Sequence, residues 1–452
     1  MVNNVNNTFG YRDRNRRTPF EHRRYWLNIL AYAFLLQWYF RPFCLQYLRK
    51  SSLYGSLPSI LFNAYAYLAL AISMVVLLLW GIRRFEFKDS FLILFFLWIA
   101  LSGLINRGFY EFASSMANLF TQLGLSCLVI HLLKQRPRTI AWALLIIFAV
   151  HFVLNVITVV AFPTGMLHGG TTTSYTYFFG GKNSVFMWGI VLPAAMVFML
   201  YITKESRWTS LAIVVSVVYG LLAIRVDSAS STACFIVTAL FLFMESKSLL
   251  PKPLFTPPTY LIVLVAVFFI VIVFNAASIF ADLLGALNRS TNFSGRDIVW
   301  AQAIDYVKSS PLFGCGDDIP FYLSGSDAHH AHSFYLTYAA QYGVPAPVFF
   351  LLDAWLICVR VKNANNPYTN LLAIPYCILL FHSLFDVVDL SLVILLRTLI
   401  AYETDFYPDE QTNSYTRSSM RAYGLNGYVQ SSGKIDSISG DGLIATEESN
   451  RG

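Results

Sequence analysis

Between Tyr25 and Tyr402 the chain is a succession of apolar runs separated by short charged connectors, and that alternation decides the solvent in which it folds. A helix needs about 20 apolar residues to cross a bilayer, and in lipid its backbone must satisfy its own hydrogen bonds. Runs of that length, or slightly shorter, fall at 25–40, 57–80, 90–105, 114–133, 139–162 and 183–203. The second half adds 208–224, 229–244, 258–280, 333–359, 369–385 and 388–402. Only 13% of the 452 residues are charged and 56% are hydrophobic, whereas soluble domains carry about 25% charged residues. The expected fold is all-α: a polytopic helical bundle of about 12 transmembrane helices, with one large extracytoplasmic loop containing short helices.

Charge placement sets the orientation. With the N-terminus inside, Lys and Arg on the inner segments outnumber those on the outer segments about two to one, the positive-inside bias. Both termini are then cytoplasmic. Residues 1–24 form a basic tail, and no small-residue cleavage site follows the first apolar run, so the expectation is a retained tail and not a signal peptide. Residues 25–402 form the transmembrane domain, and 403–452 a Ser-, Gly-, Asn- and Asp-rich cytoplasmic tail expected to be disordered. The net charge of +7 comes mostly from connectors, so no nucleic-acid partner is implied. Of six cysteines four lie in apolar spans, only Cys44 and Cys315 are placed to face an oxidising side, and no CxxC occurs.

Two outer loops are long, 163–182 and the much larger 281–331, and loops of more than about 15 residues tend to be functional. Within the second, Ser294 is placed to cap a short helix with Ile298, Ala301, Ile304 and Tyr306 on its apolar positions, ended by Pro311. A glycine turn, "LFGCGDD", follows, and then "AHHAHSFYL", Ala328 to Leu336. His332 therefore stands where the large outer loop enters a span. His329 and His330 read as solvated loop residues. Asp353, inside an apolar stretch, is costly unless paired, and His151 and His382 read as packed side chains.

The stretches "SGRDIVW", "PLFGCG" and "AHHAHSFYLTYAAQYGVPAP" together resemble the C-terminal pattern of the O-antigen ligase and O-antigen polymerase superfamily. "FFGGKNSVFMW", Phe178 to Trp188, is similar to the family's Lys-Asn stretch opening a central span. The resemblance covers roughly 175–350 by motif and the rest by span count.

The resemblance implies a bacterial membrane glycosyltransferase with its active site on the outer face of the inner membrane. Its donor would be an oligosaccharide on a polyprenyl diphosphate, its acceptor a glycan or glycolipid, with membrane lipids and other polysaccharide-assembly proteins as further partners. His332 aligns with the family histidine that deprotonates the acceptor hydroxyl, and Arg296 with the arginine that holds the diphosphate. The chemistry agrees: a guanidinium is a permanently charged fork for phosphate oxygens, and a neutral imidazole accepts a proton near pH 7. No cofactor is expected. His330 and His332 offer two metal ligands that Asp317, Asp318 or Asp327 could complete, but the transfer requires no metal and none is expected.

This chain departs from the family in "RVDSASSTA", where Ser231 occupies the position of a basic residue. Lys182, Asn183, Arg225 and Arg289 are the candidates for the remaining phosphate contacts. Each has a plainer reading: Lys182 and Asn183 as a helix start, Arg225 as a partner of Asp227, and Arg296 itself as a partner of Asp297 or Asp305. A polymerase is expected ahead of a ligase, because nothing shows a lipid A-core acceptor. A lipid-linked oligosaccharide transporter and a structural scaffold are the rivals from other classes.

Overall fold

A computed structural model describes residues 19–49, 55–80, 90–166, 176–251, 256–274, 276, 296–323, 326–328, 330–364 and 366–406. The chain divides into two units, Met1–Thr404 and Asp405–Gly452. Of the second, only residues 405 and 406 are among those described.

The first half holds α1 (Pro19–Gln37), α2 (Cys44–Leu48), α3 (Leu57–Trp80), α4 (Ser90–Arg107), α5 (Phe109–Gln135) and α6 (Pro137–Ala161). A small antiparallel hairpin, β1 (Thr176–Tyr177) with β2 (Gly180–Gly181), leads into α7 (Ser184–Gly189) and α8 (Val191–Thr203). Next come α9 (Arg207–Arg225), α10 (Ala229–Ser246) and α11 (Pro257–Val267), which continues as a π-helical turn over Phe268–Val273. After α12 (Arg296–Ser309) a second hairpin pairs β3 (Phe321–Leu323) with β4 (Ser326–Ala328). The chain ends in α13 (Phe334–Tyr342), α14 (Pro345–Ala364), α15 (Pro367–His382) and α16 (Leu390–Phe406).

Among the described residues seven helical segments are long and apolar enough to cross a membrane: α3, α4, α5, α6, α7 with α8, α9 and α10. The protein is thus a polytopic helical membrane protein. Two expected spans are corrected. The run 333–359 is not one helix, because Gly343 has φ +86° and a side chain there would strike the Leu312 backbone, so the chain turns between α13 and α14. The run 258–280 is helical only over Pro257–Val273, and 275 and 277–280 lie outside the described residues.

The segment Ser184–Thr203 is 89% buried, against 17% for α3, so α7 and α8 form the centre of the bundle and α3 lies at its edge. Packing there is close: a side chain at Gly189 would meet the rings of Tyr219 and Phe235, and one at Gly124 would strike Ser73. Small residues at such crossings let backbones approach, which is what drives association where lipid supplies no hydrophobic force. Asp353 on α14 finds its partner in Arg397 on α16.

Candidate active site

The glycine turn after α12 is a latch. The amides of Cys315 and Gly316 donate to Ala340 and Gln341 carbonyls (both 2.9 Å), and Val344 N–H donates to Pro311 O (2.9 Å). The first two donors satisfy carbonyls that the end of α13 would otherwise leave orphaned. From α4, Asn106 Nδ2 donates to Phe313 O (2.9 Å), Trp98 Nε1 donates to Tyr342 O (3.0 Å), and the Trp98 ring stacks on Phe313 at 5.3 Å. "PLFGCG" therefore ties the loop to α4 and α13. Gly314 (φ +65°) and Gly343 (φ +86°) are required because Gln341 and Leu312 backbone fill the space of a side chain.

That latch leaves His332 at the entrance of α13. Its φ is +48°, the left-handed region that L-residues rarely enter. The conformation is held from both sides: Ala331 N–H donates to Thr337 Oγ1 (3.0 Å), and Phe334 N–H donates to Ser383 O (2.8 Å). Tyr335 Oη adds a bond to Leu380 O at 3.0 Å, fastening α13 to the end of α15. Backbone strain of this kind costs of order 1–3 kcal/mol and persists where surroundings over-determine it.

His330 is not simply a solvated loop residue. It is half-buried, its Nδ1 accepts from His332 N–H at 3.2 Å, and the two rings meet edge to face at 4.6 Å. Asp386, in the turn between α15 and α16, completes the group: one ligand-type atom from each of His330, His332 and Asp386 lies within 4.8 Å of the others. Burial lowers the His332 pKa to about 3. The charges of His330 and Arg296 act the same way, and Asp386 opposes them. These three are the described residues that could hold a metal ion, though the Arg296 charge opposes adding a cation there. Of the acids expected to complete such a site, Asp318 pairs with Arg107 at 2.9 Å and Asp317 lies 4.0 Å from the same guanidinium, while the Asp327 side chain lies outside the described ones.

Arg296 opens α12 and donates from Nη1 to Phe385 O at 2.6 Å, next to Asp386. The two ends of the described part of the loop thus converge on the 385–386 turn. The buried face of α12 differs from expectation: Val299, Trp300 and Ala303 are buried, whereas Ile298 and Ala301 are exposed and Ile304 and Tyr306 half-buried. A helix of 14 residues with a weak apolar stripe leaves its facing to tertiary contacts, here with α13 and β3. Ser294 lies outside the described residues.

Lys182 pairs with Asp227 (Nζ to Oδ2, 3.2 Å), and Asn183 accepts from Ser228 Oγ at 3.3 Å. Ser231, in the place of the family's basic residue, donates to Asn183 O at 3.3 Å. Asn183 precedes α7 without a side-chain capping bond. Phe186 of α7 lies 4.8 Å ring to ring from the fully buried His382, and Asp389 N–H points at Met187 Sδ. The Lys-Asn stretch thus stands at the same end of the bundle as the 382–389 turn. Arg225 ends α9 and is exposed, and Arg289 lies outside the described residues. Asp386 was missed in the sequence, where its signal was a carboxylate in the two-residue gap between the apolar runs 369–385 and 388–402.

In a helical membrane protein, a histidine, an arginine and an aspartate thus come together at one turn. Residues 173–351 match the family model described as O-antigen ligase. Over that segment, somewhat under half of its length, the chain is similar to the O-antigen ligase family. No curated protein and no solved structure matches it.

Proposed function

We propose that the protein is a bacterial inner-membrane glycosyltransferase that moves a glycan from a polyprenyl diphosphate carrier to an acceptor saccharide, acting as a polymerase. The observation that carries this reading is the approach of His332 and Arg296 to one turn, 385–386. His332 takes the proton of the acceptor hydroxyl, and that oxygen attacks the anomeric carbon. The bond from that carbon to the diphosphate breaks, and its electron pair leaves with the polyprenyl diphosphate, whose growing charge Arg296 meets. Stabilising charge as it develops is commonly the largest catalytic contribution. The neutral His332 ring has its lone pair available, and an anionic donor beside it raises its proton affinity when the hydroxyl proton must be lost.

Lys182, Asn183, Arg225 and Arg289 are proposed for the other donor oxygens, with Lys182 and Asn183 best supported because α7 packs against the His382 end of α15. On this reading the chain crosses the membrane an even number of times, both termini are cytoplasmic and 281–331 is extracytoplasmic. Residues 1–24 and 403–452 are then tails flanking a membrane domain over 25–402. The alternative is a ligase that passes a finished chain to a lipid, and the matched family's description favours it.

His332→Ala, expressed at normal level in a deletion host, tests both through the ladder of lipid-linked and surface glycan. Loss of every product beyond one donor unit is the result expected of a polymerase. Long chains retained on the carrier would identify a ligase. An unchanged ladder would refute the transfer role of His332 and leave a transporter or scaffold.

A further inference from the structure

A cavity of about 240 Å³ opens at the other end of the bundle from His332, where α1, α6, α8 and α9 meet. A single water needs only roughly 10–15 Å³ of such space. Its walls are aromatic: Trp142 stands edge-on to Trp26 (6.1 Å) and to Trp208 (5.6 Å). Its polar groups are mostly donors. Arg138 enters it from the first turn of α6, and Arg207 from the start of α9. Both helices present their positive ends there. Arg207 is already neutralised by Glu205 at 2.5 Å, but among the described residues Arg138 has no carboxylate partner. His22 accepts from Trp26 Nε1 at 3.0 Å through Nε2, which leaves its Nδ1–H as a donor. Trp208 lines the cavity and is 6% exposed, and its Nε1–H is buried with no acceptor.

A buried indole N–H without an acceptor is costly, and an acceptor entering the cavity from outside the chain would relieve it. The location selects which one. Leu27, Leu30 and Phe34 of α1 and Leu211 and Val214 of α9 are exposed along the same helices beyond the cavity. Each helix thus offers an apolar face along which an acyl chain would lie while the attached phosphate reached Arg138 and Trp208. We propose that this cavity binds the headgroup of an anionic phospholipid, with Arg138 and the Trp208 N–H as its phosphate contacts. The inference depends on the membrane fold alone and not on the transfer chemistry at His332.

The test uses the full-length protein purified in a neutral detergent, with thermal unfolding followed as lipid is added. Short-chain phosphatidylglycerol should raise Tm, and short-chain phosphatidylcholine should raise it much less. Arg138→Gln should lower apparent affinity for phosphatidylglycerol about tenfold, the scale of one charge-assisted hydrogen bond. Trp208→Phe, which keeps a ring in place and removes only the N–H, should weaken it in the same direction. Equal shifts with phosphatidylcholine, or shifts that neither variant alters, would overturn the proposal. An equal rise with inorganic phosphate alone would show a phosphate site and overturn its assignment to a lipid.

Discussion

Arg397 and Asp353 face each other as a fork and its match, Nε to Oδ2 at 2.7 Å and Nη2 to Oδ1 at 2.8 Å, with side chains only 3% and 5% exposed. Removing one partner of such a pair leaves a buried charge and costs about 3–5 kcal/mol, whereas replacing both with apolar residues is often near neutral. Arg397→Leu should therefore lower the detergent Tm sharply, and the double change Asp353→Leu with Arg397→Met should recover most of the loss. Equal losses in the single and double variants would mean that packing, not charge, holds α14 to α16.

Gly343 and Gly55 share a positive φ but differ in surroundings: Leu312 backbone fills the space beside Gly343, and nothing lies within 4 Å of Gly55. Gly55→Ala should cost only the left-handed backbone penalty, roughly 1–2 kcal/mol. Gly343→Ala must also break the latch to Pro311, so it should cost clearly more and reduce the amount of folded protein recovered. Similar recovery of the two variants would contradict the latch.

Arg296 should be sensitive to shape as well as charge. Arg296→Ala is expected to reduce glycan transfer about 10²-fold, as loss of one transition-state donor does. Arg296→Lys keeps the charge but loses the planar fork and the anchoring to Phe385 O, so it should recover only a small part. Transfer measured with purified donor separates this from a folding defect, because kcat should fall while Tm stays within a few degrees. Full activity of the Lys variant would exclude fork-like recognition.

The Lys182–Asp227 pair separates a structural from a substrate role. Asp227 is 76% exposed, so the pair should contribute less than about 1 kcal/mol to stability. Asp227→Asn should leave both Tm and glycan length unchanged, whereas Lys182→Gln should shorten the glycan. If both variants act alike, Lys182 serves only to hold Asp227.

The helical membrane class was legible because a continuous apolar run carries its meaning locally. The pairing of Asp353 was legible as a need, although its partner was not, since Arg397 sits a full connector and a helix away. Breaks inside apolar runs were harder to see. The turn at Gly343 depends on Leu312, which reaches it through the latch, and no periodicity within 333–359 encodes that contact. At the candidate site His332 and Arg296 were visible as motif positions. Asp386 was hidden because its nearness to His332 is produced by hydrogen bonds that fasten the start of α13 to the end of α15. The face of α12 was misread for a related reason: one short helix with a weak stripe is turned by its neighbours.

The burial gradient from α3 to α8 has a consequence for how the sequence can drift. On α3 most side chains look outward, so one apolar residue there can replace another with little effect on shape. On α8 nearly every position is walled in, and even a methyl group has to be accommodated by a neighbour. A library of random substitutions screened for folded protein should therefore show tolerance rising radially outward. The strictest positions should form a column along 184–203, one that begins beside Lys182 and Asn183 and ends near the Trp208 cavity.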